Sequence, residues 1–183
     1  MHAHRELPVP KRGLTLAVVA DTHSKPHPDA AKHITKLKPD AILHAGDIGE
    51  LSVLDDLEAL APLYAIRGNI DPPARDVPET MTIDLVDGKR TLLKLALMHI
   101  AVYGVKLRRE AAAFARKEKA SLLVCGHSHV PFIGKDAGIS IFNPGSVGPR
   151  RFGLPIVFGV MEVDRERVSM FHVDCETGER WEP

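Results

Sequence analysis

The chain has 183 residues, its 24 basic and 24 acidic side chains cancel, and 44% of its residues are hydrophobic but only 5% aromatic. The apolar share excludes a disordered tail, and the charge balance excludes a chain built around electrostatic attraction for long nucleic acid. One compact domain, with a core of Leu, Val, Ile and Ala, is the expectation from length.

Residues 1–12, interrupted by Pro8 and Pro10, read as a loosely ordered leader before a single domain at 13–183. Lys11 and Arg12 precede an apolar run at 14–20 that is too short for a secretory signal and ends in Asp21-Thr22-His23, so it reads as a buried strand. A helix over 29–38 stops at Pro39, a short strand follows at 41–43, and leucines at 51, 54, 57 and 60 mark a helical face over 50–60. Pro62 ends that helix and residues 63–66 supply a third strand. This strand–helix alternation predicts a parallel α/β core.

The second half is richer in strands. Segments 81–86 and 90–97 flank Asp87-Gly88, a strong hairpin signal. A helix is expected over 107–119, then strands at 122–125, 139–142, 156–163 and 168–173. The pattern predicts two packed sheets with helices outside. No stretch has the roughly 18 apolar residues a membrane helix needs. Cys125 and Cys175 form no metal or redox spacing, which predicts a reducing, cytoplasmic setting and no membrane partner.

The apolar strands end abruptly in polar residues: Asp21-x-His23, Gly46-Asp47, Gly68-Asn69-x-Asp71, His99, and Gly126-His127-Ser128-His129. Each piece alone has an ordinary explanation, since Gly, Asn and Asp make turns and a histidine can close a strand. Together they place polar groups at the carboxyl ends of strands, where open α/β sheets bind ligands. Asp21, Asp47 and Asn69 offer oxygen, and His23, His99, His127 and His129 offer imidazole, with no thiolate. That mixture suits manganese, iron, zinc or nickel. Seven ligands exceed the needs of one tetrahedral ion. Shared between two ions through one carboxylate, they leave positions for water and a phosphoryl group.

This ordered set, with Asn143-Pro144-Gly145-Ser146 after it, resembles the calcineurin-like metallophosphoesterases, in particular their small bacterial and archaeal phosphodiesterases, over about residues 14–173. The resemblance implies an α/β fold in which two packed mixed sheets form a four-layer α/β/β/α sandwich. It implies that Asp21, His23 and His129 hold one ion, that Asn69, His99 and His127 hold the other, and that Asp47 bridges them, with manganese favoured. The implied reaction is attack by a metal-bound hydroxide on a small phosphodiester or nucleotide-like substrate, with Asp47, Asn69, Asp71 and His99 as catalytic candidates. A phosphomonoesterase or nuclease using the same centre, or a catalytically weak protein-interaction scaffold of the same fold, are the alternatives; a homo-oligomer stays open.

Two positions depart from the family pattern. Ile70 stands where many members have a histidine able to protonate a leaving group, which predicts a preference for acidic leaving groups such as aryl oxides. Ile100 stands where a glycine is frequent and narrows the approach to the second ion. Asp71 either orients a neighbouring histidine or caps the turn before Pro72-Pro73. His44 is expected to be buried and hydrogen-bonded, and His27 to sit on an exposed loop. Arg150-Arg151 is either a phosphate-binding pair or a solvated basic loop.

Overall fold

The computed structural model describes residues 1–73 and 77–182. Strand β2 (Leu14–Val19) shows how the layers arise, because its side chains divide between two cores. Leu14, Leu16 and Val18 point to one face, and Ala17 and Val19 to the other. A strand covered on both faces must be apolar throughout, which is why this segment reads as a continuous run and not as an alternation.

Around it lies a six-stranded sheet in the order β14-β13-β12-β2-β3-β4. Its other members are β3 (Ala41–His44), β4 (Leu63–Ala65), β12 (Val157–Val163), β13 (Val168–Asp174) and β14 (Arg180–Trp181). The second sheet has the order β1-β5-β6-β9-β11-β10. It comprises β1 (His2–Pro8), β5 (Thr80–Asp87), β6 (Arg90–Met98), β9 (Leu122–Val124), β10 (Phe132–Asp136) and β11 (Ile139–Asn143). Leu14, Leu16, Val18 and Leu43 of the first sheet meet Ile83, Leu85, Leu95, Leu97 and Val124 of the second in the central core. Helices α1 (Pro28–Leu37) and α2 (Ser52–Glu58) cover the outer face of the first sheet through Ala30, Ile34, Val53 and Leu57. Helix α3 (Arg109–Lys117) covers the second through Ala111 and Ala115. The result is the expected four-layer α/β/β/α sandwich of two mixed sheets.

The hairpin at Asp87-Gly88 forms between β5 and β6, with a register shift at Leu85/Val86. A small two-stranded ribbon, β7 (Val102–Tyr103) and β8 (Lys106–Leu107), precedes α3; of the residues expected in that helix only Leu107 lies in the ribbon, and the helix begins at Arg109.

The leader expected over residues 1–12 is corrected. Residues 2–8 form β1, which pairs in parallel with β5 from His2↔Thr80 to Pro8↔Val86. Leu7 and Val9 anchor it in the central core, while His2, Arg5 and Glu6 stay exposed, so the segment looked polar. Pro8 is tolerated because β1 is an edge strand, where a missing N–H costs no ladder bond.

Candidate metal centre

Strands β2, β3 and β4 run parallel to one another, as do β6, β9 and β11, and five of their following loops meet at one end of the sandwich. The loops are bound together by main-chain and side-chain hydrogen bonds. Asp21 N–H donates to Gly46 O at 2.9 Å, and His23 N–H to Asp47 O at 3.1 Å, so the loops after β2 and β3 travel side by side. Beneath them, Gly46 N–H donates to His44 Nδ1, His44 Nε2–H donates to Thr22 Oγ1, and Thr22 Oγ1–H donates to Ile48 O. His44 is thus buried and spent on the loop framework, as expected, and burial lowers its pKa to about 4.

Asp71 does not face a histidine as a hydrogen-bond acceptor. Its carboxylate accepts from Ile48 N at 3.0 Å, Gly49 N at 2.9 Å and Gly68 N at 2.7 Å. This corrects its place among the catalytic candidates: it fastens the loop after β4 to the loop that carries Asp47. Gly68 then passes so close that a Cβ there would lie 2.1 Å from Asp47 Oδ1, a contact only glycine allows. Ile70 N–H donates to the same Oδ1 at 3.2 Å. Asn69, between them, is exposed.

On the opposite side, Asp21 accepts from His127 N–H at 3.0 and 3.2 Å. Asn143 Nδ2 donates to Gly126 O and Ser128 Oγ, and Ser146 Oγ donates to Asp21 O, all at 3.0 Å. The Asn143–Ser146 turn therefore buttresses the histidine loop. Among the described residues, Asp21, His23, Ser24, Asp47, His127 and His129 are six of ten non-glycine residues at positive φ. Such conformations are sparse for L residues, and their concentration here marks a site where local strain is tolerated to aim side chains.

Two groups of ligand atoms result, each within 4.8 Å: Asp21, His23 and His129, and Asp47, His99 and His127. In the first, His23 Nε2 lies 3.1 Å from His129 Nε2, and His129 Nε2 lies 3.6 Å from Asp21 Oδ1. In the second, His99 Nε2 lies 3.1 Å from Asp47 Oδ1. Asp47 also faces the first group, its Oδ2 being 3.9 Å from His23 Nε2. One carboxylate thus looks toward both groups with different oxygens.

The fit to a divalent cation can be read from His99. Its Nδ1–H donates to Ala45 O at 2.8 Å, which turns Nε2 toward Asp47. Nε2 is buried and has no hydrogen bond, because its approach to Asp47 is close but misaligned. A buried ring nitrogen beside a carboxylate without a hydrogen bond, and two imidazole nitrogens 3.1 Å apart, are both arrangements that a cation between them would satisfy. All the donors are nitrogen or oxygen, as a first-row divalent ion prefers.

Electrostatics agree. Burial, foremost, raises the Asp21 carboxyl to about 7. Burial also pushes Asp47 upward, but His99 and the Ile70 amide outweigh it and hold Asp47 at about 2. Burial lowers His23 and His127, and it lowers His129 to about 4 with help from the charges of His23 and Arg151. His99 moves the other way: burial lowers it, but its close approach to Asp47 and the charges of Asp21 and Asp47 outweigh that and raise it, so Asp47 faces one imidazole that favours its proton and three that stay neutral.

The remaining sequence candidates separate. Arg150 donates to Leu154 O at 2.9 Å and Glu176 Oε2 at 2.5 Å, whereas Arg151 makes no hydrogen bond or ion pair among the described residues. His27 caps α1, its Nδ1 accepting from Asp29 N–H at 3.3 Å. A third group, His4, Glu6 and Asp84, lies on the outer face of β1 and β5, where Lys94 Nζ already sits 3.2 Å from Asp84 Oδ1. Sequence reasoning missed Thr22 and the part Gly68 plays, for which a single sequence carries no visible signal.

Residues 14–166 match the calcineurin-like phosphoesterase superfamily domain. The chain belongs to that superfamily. It is 30% identical over 163 residues to a protein named "Probable metallophosphoesterase" from Methanothermobacter thermautotrophicus, covering 85% of this chain and 90% of the relative. Its fold resembles Vps29 of Entamoeba histolytica, solved with zinc, at a TM-score of 0.72 and 22% identity over 92% of this chain and 96% of that one. It also resembles Yfce, a phosphoesterase from E. coli, at a TM-score of 0.60 and 20% identity over 91% and 96%. Membership of the superfamily implies divalent-metal binding, and the two groups at this end of the sandwich are its candidate ligands. Strand β1 lies outside the matched region.

Proposed function

We propose that the chain is a two-metal phosphodiesterase acting on small phosphodiester or nucleotide-like substrates. The observation that carries this reading is Asp47, whose two oxygens face two separate groups of ligands. Asp21, His23 and His129 would hold one ion, His99 and His127 with Asn69 the other, and Asp47 would belong to both. When bound, such ions polarise phosphoryl oxygens and lower the pKa of a coordinated water.

The protein's own part is to fix that geometry. Asp71 and Asn143 lock the loops, Gly68 leaves room for the Asp47 carboxylate, and Ala45 O sets the His99 tautomer. Ile70 is 46% exposed at the site and cannot transfer a proton, so the departing oxygen must leave as a stable anion. Aryl diesters satisfy that condition and simple alkyl monoesters do not. Manganese is the favoured ion. The two cysteines are buried and unpaired, in keeping with a reducing cytoplasm, and no described helix is long and apolar enough to cross a membrane.

Hydrolysis of bis(p-nitrophenyl) phosphate by the manganese-loaded chain, compared with p-nitrophenyl phosphate, tests the reading. Faster turnover of the diester, lost in Asp47→Asn, supports it. Full metal loading with no hydrolysis of either ester would turn the account toward a scaffold.

A further inference from the structure

Beside the first ligand group, the chain turns sharply at residues 151–154. Leu154 N–H donates to Arg151 O at 2.9 Å, and the two central residues, Phe152 and Gly153, have φ of 53° and 70°. A bulky side chain at positive φ is a true outlier, costing about 1–2 kcal/mol. What the turn displays is an aromatic ring that is 92% exposed. In a chain with so few aromatic residues, an exposed Phe held in a costly conformation is not explained by packing.

The turn is firmly mounted. Ser146 Oγ, which donates to Asp21 O, accepts from Gly148 N–H at 3.1 Å. At the turn's base, Arg150 is tied to Leu154 O and Glu176. Both Arg150 and its neighbour Arg151 line the recess that holds His129, Ser146 and Ile156, but Arg151 has no such partner among the described residues. The charge of Arg151 reaches Asp21, His23 and His129, in accord with that position.

We infer that Arg151 and Phe152 form a two-part substrate clamp over the first ligand group. The Arg151 guanidinium binds non-bridging phosphoryl oxygens, and the Phe152 ring packs on a flat ester group, an aryl ring or a nucleobase. The inference rests on the phosphodiesterase reading and narrows its substrate class to diesters carrying at least one aromatic group. Arg150 is the structural member of the pair, so the two adjacent arginines have different tasks.

Calorimetric titration of the manganese-loaded chain with inorganic phosphate and with phenylphosphonate, which cannot be hydrolysed, tests both parts without relying on turnover. Arg151→Ala should weaken both ligands about tenfold or more, as loss of a charge-assisted hydrogen bond does. Phe152→Ala should weaken phenylphosphonate by roughly fivefold and leave phosphate unchanged. In steady-state assays with bis(p-nitrophenyl) phosphate both variants should raise KM with little change in kcat, and Arg151→Lys should recover part of the loss. Unchanged phosphate binding in Arg151→Ala, or equal weakening of both ligands by Phe152→Ala, would overturn the clamp. A wild-type chain that hydrolyses no ester would overturn the phosphodiesterase reading instead, while the calorimetry still reported on the clamp.

Discussion

His23 and His129 are 106 residues apart in sequence, and the fold brings their Nε2 atoms to 3.1 Å. Nitrogen ligands about 2.0–2.1 Å from one ion are separated by roughly 2.8–3.4 Å across octahedral and tetrahedral coordination. The pair therefore already has the spacing of two ligands to one cation. His129→Ala should remove one class of manganese site in a calorimetric titration and lower kcat at least about a hundredfold, comparable to losing a transition-state contact. Unaltered manganese stoichiometry in this variant would show that the spacing serves no ion.

Asp71 makes a different prediction, because it touches backbone and not substrate. An Asn side chain in its place has one acceptor oxygen where three amides now converge, and its NH2 would face N–H donors. Asp71→Asn should destabilise the fold by about 2–3 kcal/mol in urea unfolding. It should also weaken manganese binding by about 10–100-fold, as loss of a ligand-orienting contact does. With saturating manganese its pH–rate profile should keep the wild-type shape. A new or displaced pKa in that profile would return Asp71 to the chemistry.

His44 gives stability a pH dependence whose sign is fixed. Its ring is fully buried and its folded pKa is about 4, below the ordinary 6.5. Below pH 6.5 the unfolded chain takes up a proton that the folded chain refuses. Stability should therefore fall as pH drops from about 6.5 toward 4 and then level off, a span worth on the order of 3 kcal/mol. Urea midpoints between pH 7.5 and 5, taken in the presence of a chelator, should show a steeper acid loss for wild type than for His44→Gln. Parallel slopes would contradict this.

Ile70 leads to a prediction about leaving groups. For a series of substituted aryl phosphodiesters, log kcat should fall steeply as the leaving phenol becomes less acidic. Ile70→His, at an exposed position, should flatten that dependence by supplying a proton. A flat wild-type plot would remove Ile70 from the explanation.

Much of this was legible in the sequence because local chemistry and tertiary role coincide. The apolar run at 14–20 is buried on both faces and could be little but a strand, and the polar residues after it fall where parallel strands deliver them. The failures have specific causes. The segment of β1 hides because its anchors, Leu7 within the strand and Val9 just beyond it, stand among exposed polar residues. The β7–β8 ribbon is too short to leave a pattern. Asp71 stays open between two roles in the sequence because three backbone amides, which every residue carries, claim its carboxylate, and no sequence shows where main-chain donors will point. The arginine pair could not be divided until Glu176, 26 residues beyond Arg150, was seen to hold one member.

The central claim is that Asp47 joins two ions into one centre. Electron paramagnetic resonance of the metal-free chain titrated with Mn(II) tests it most directly. The account predicts two ions per chain and, at full loading, the spectrum of an exchange-coupled pair that Asp47→Asn converts to isolated Mn(II). A single ion per chain, or the six-line pattern of uncoupled Mn(II) at every loading of the wild type, would contradict it.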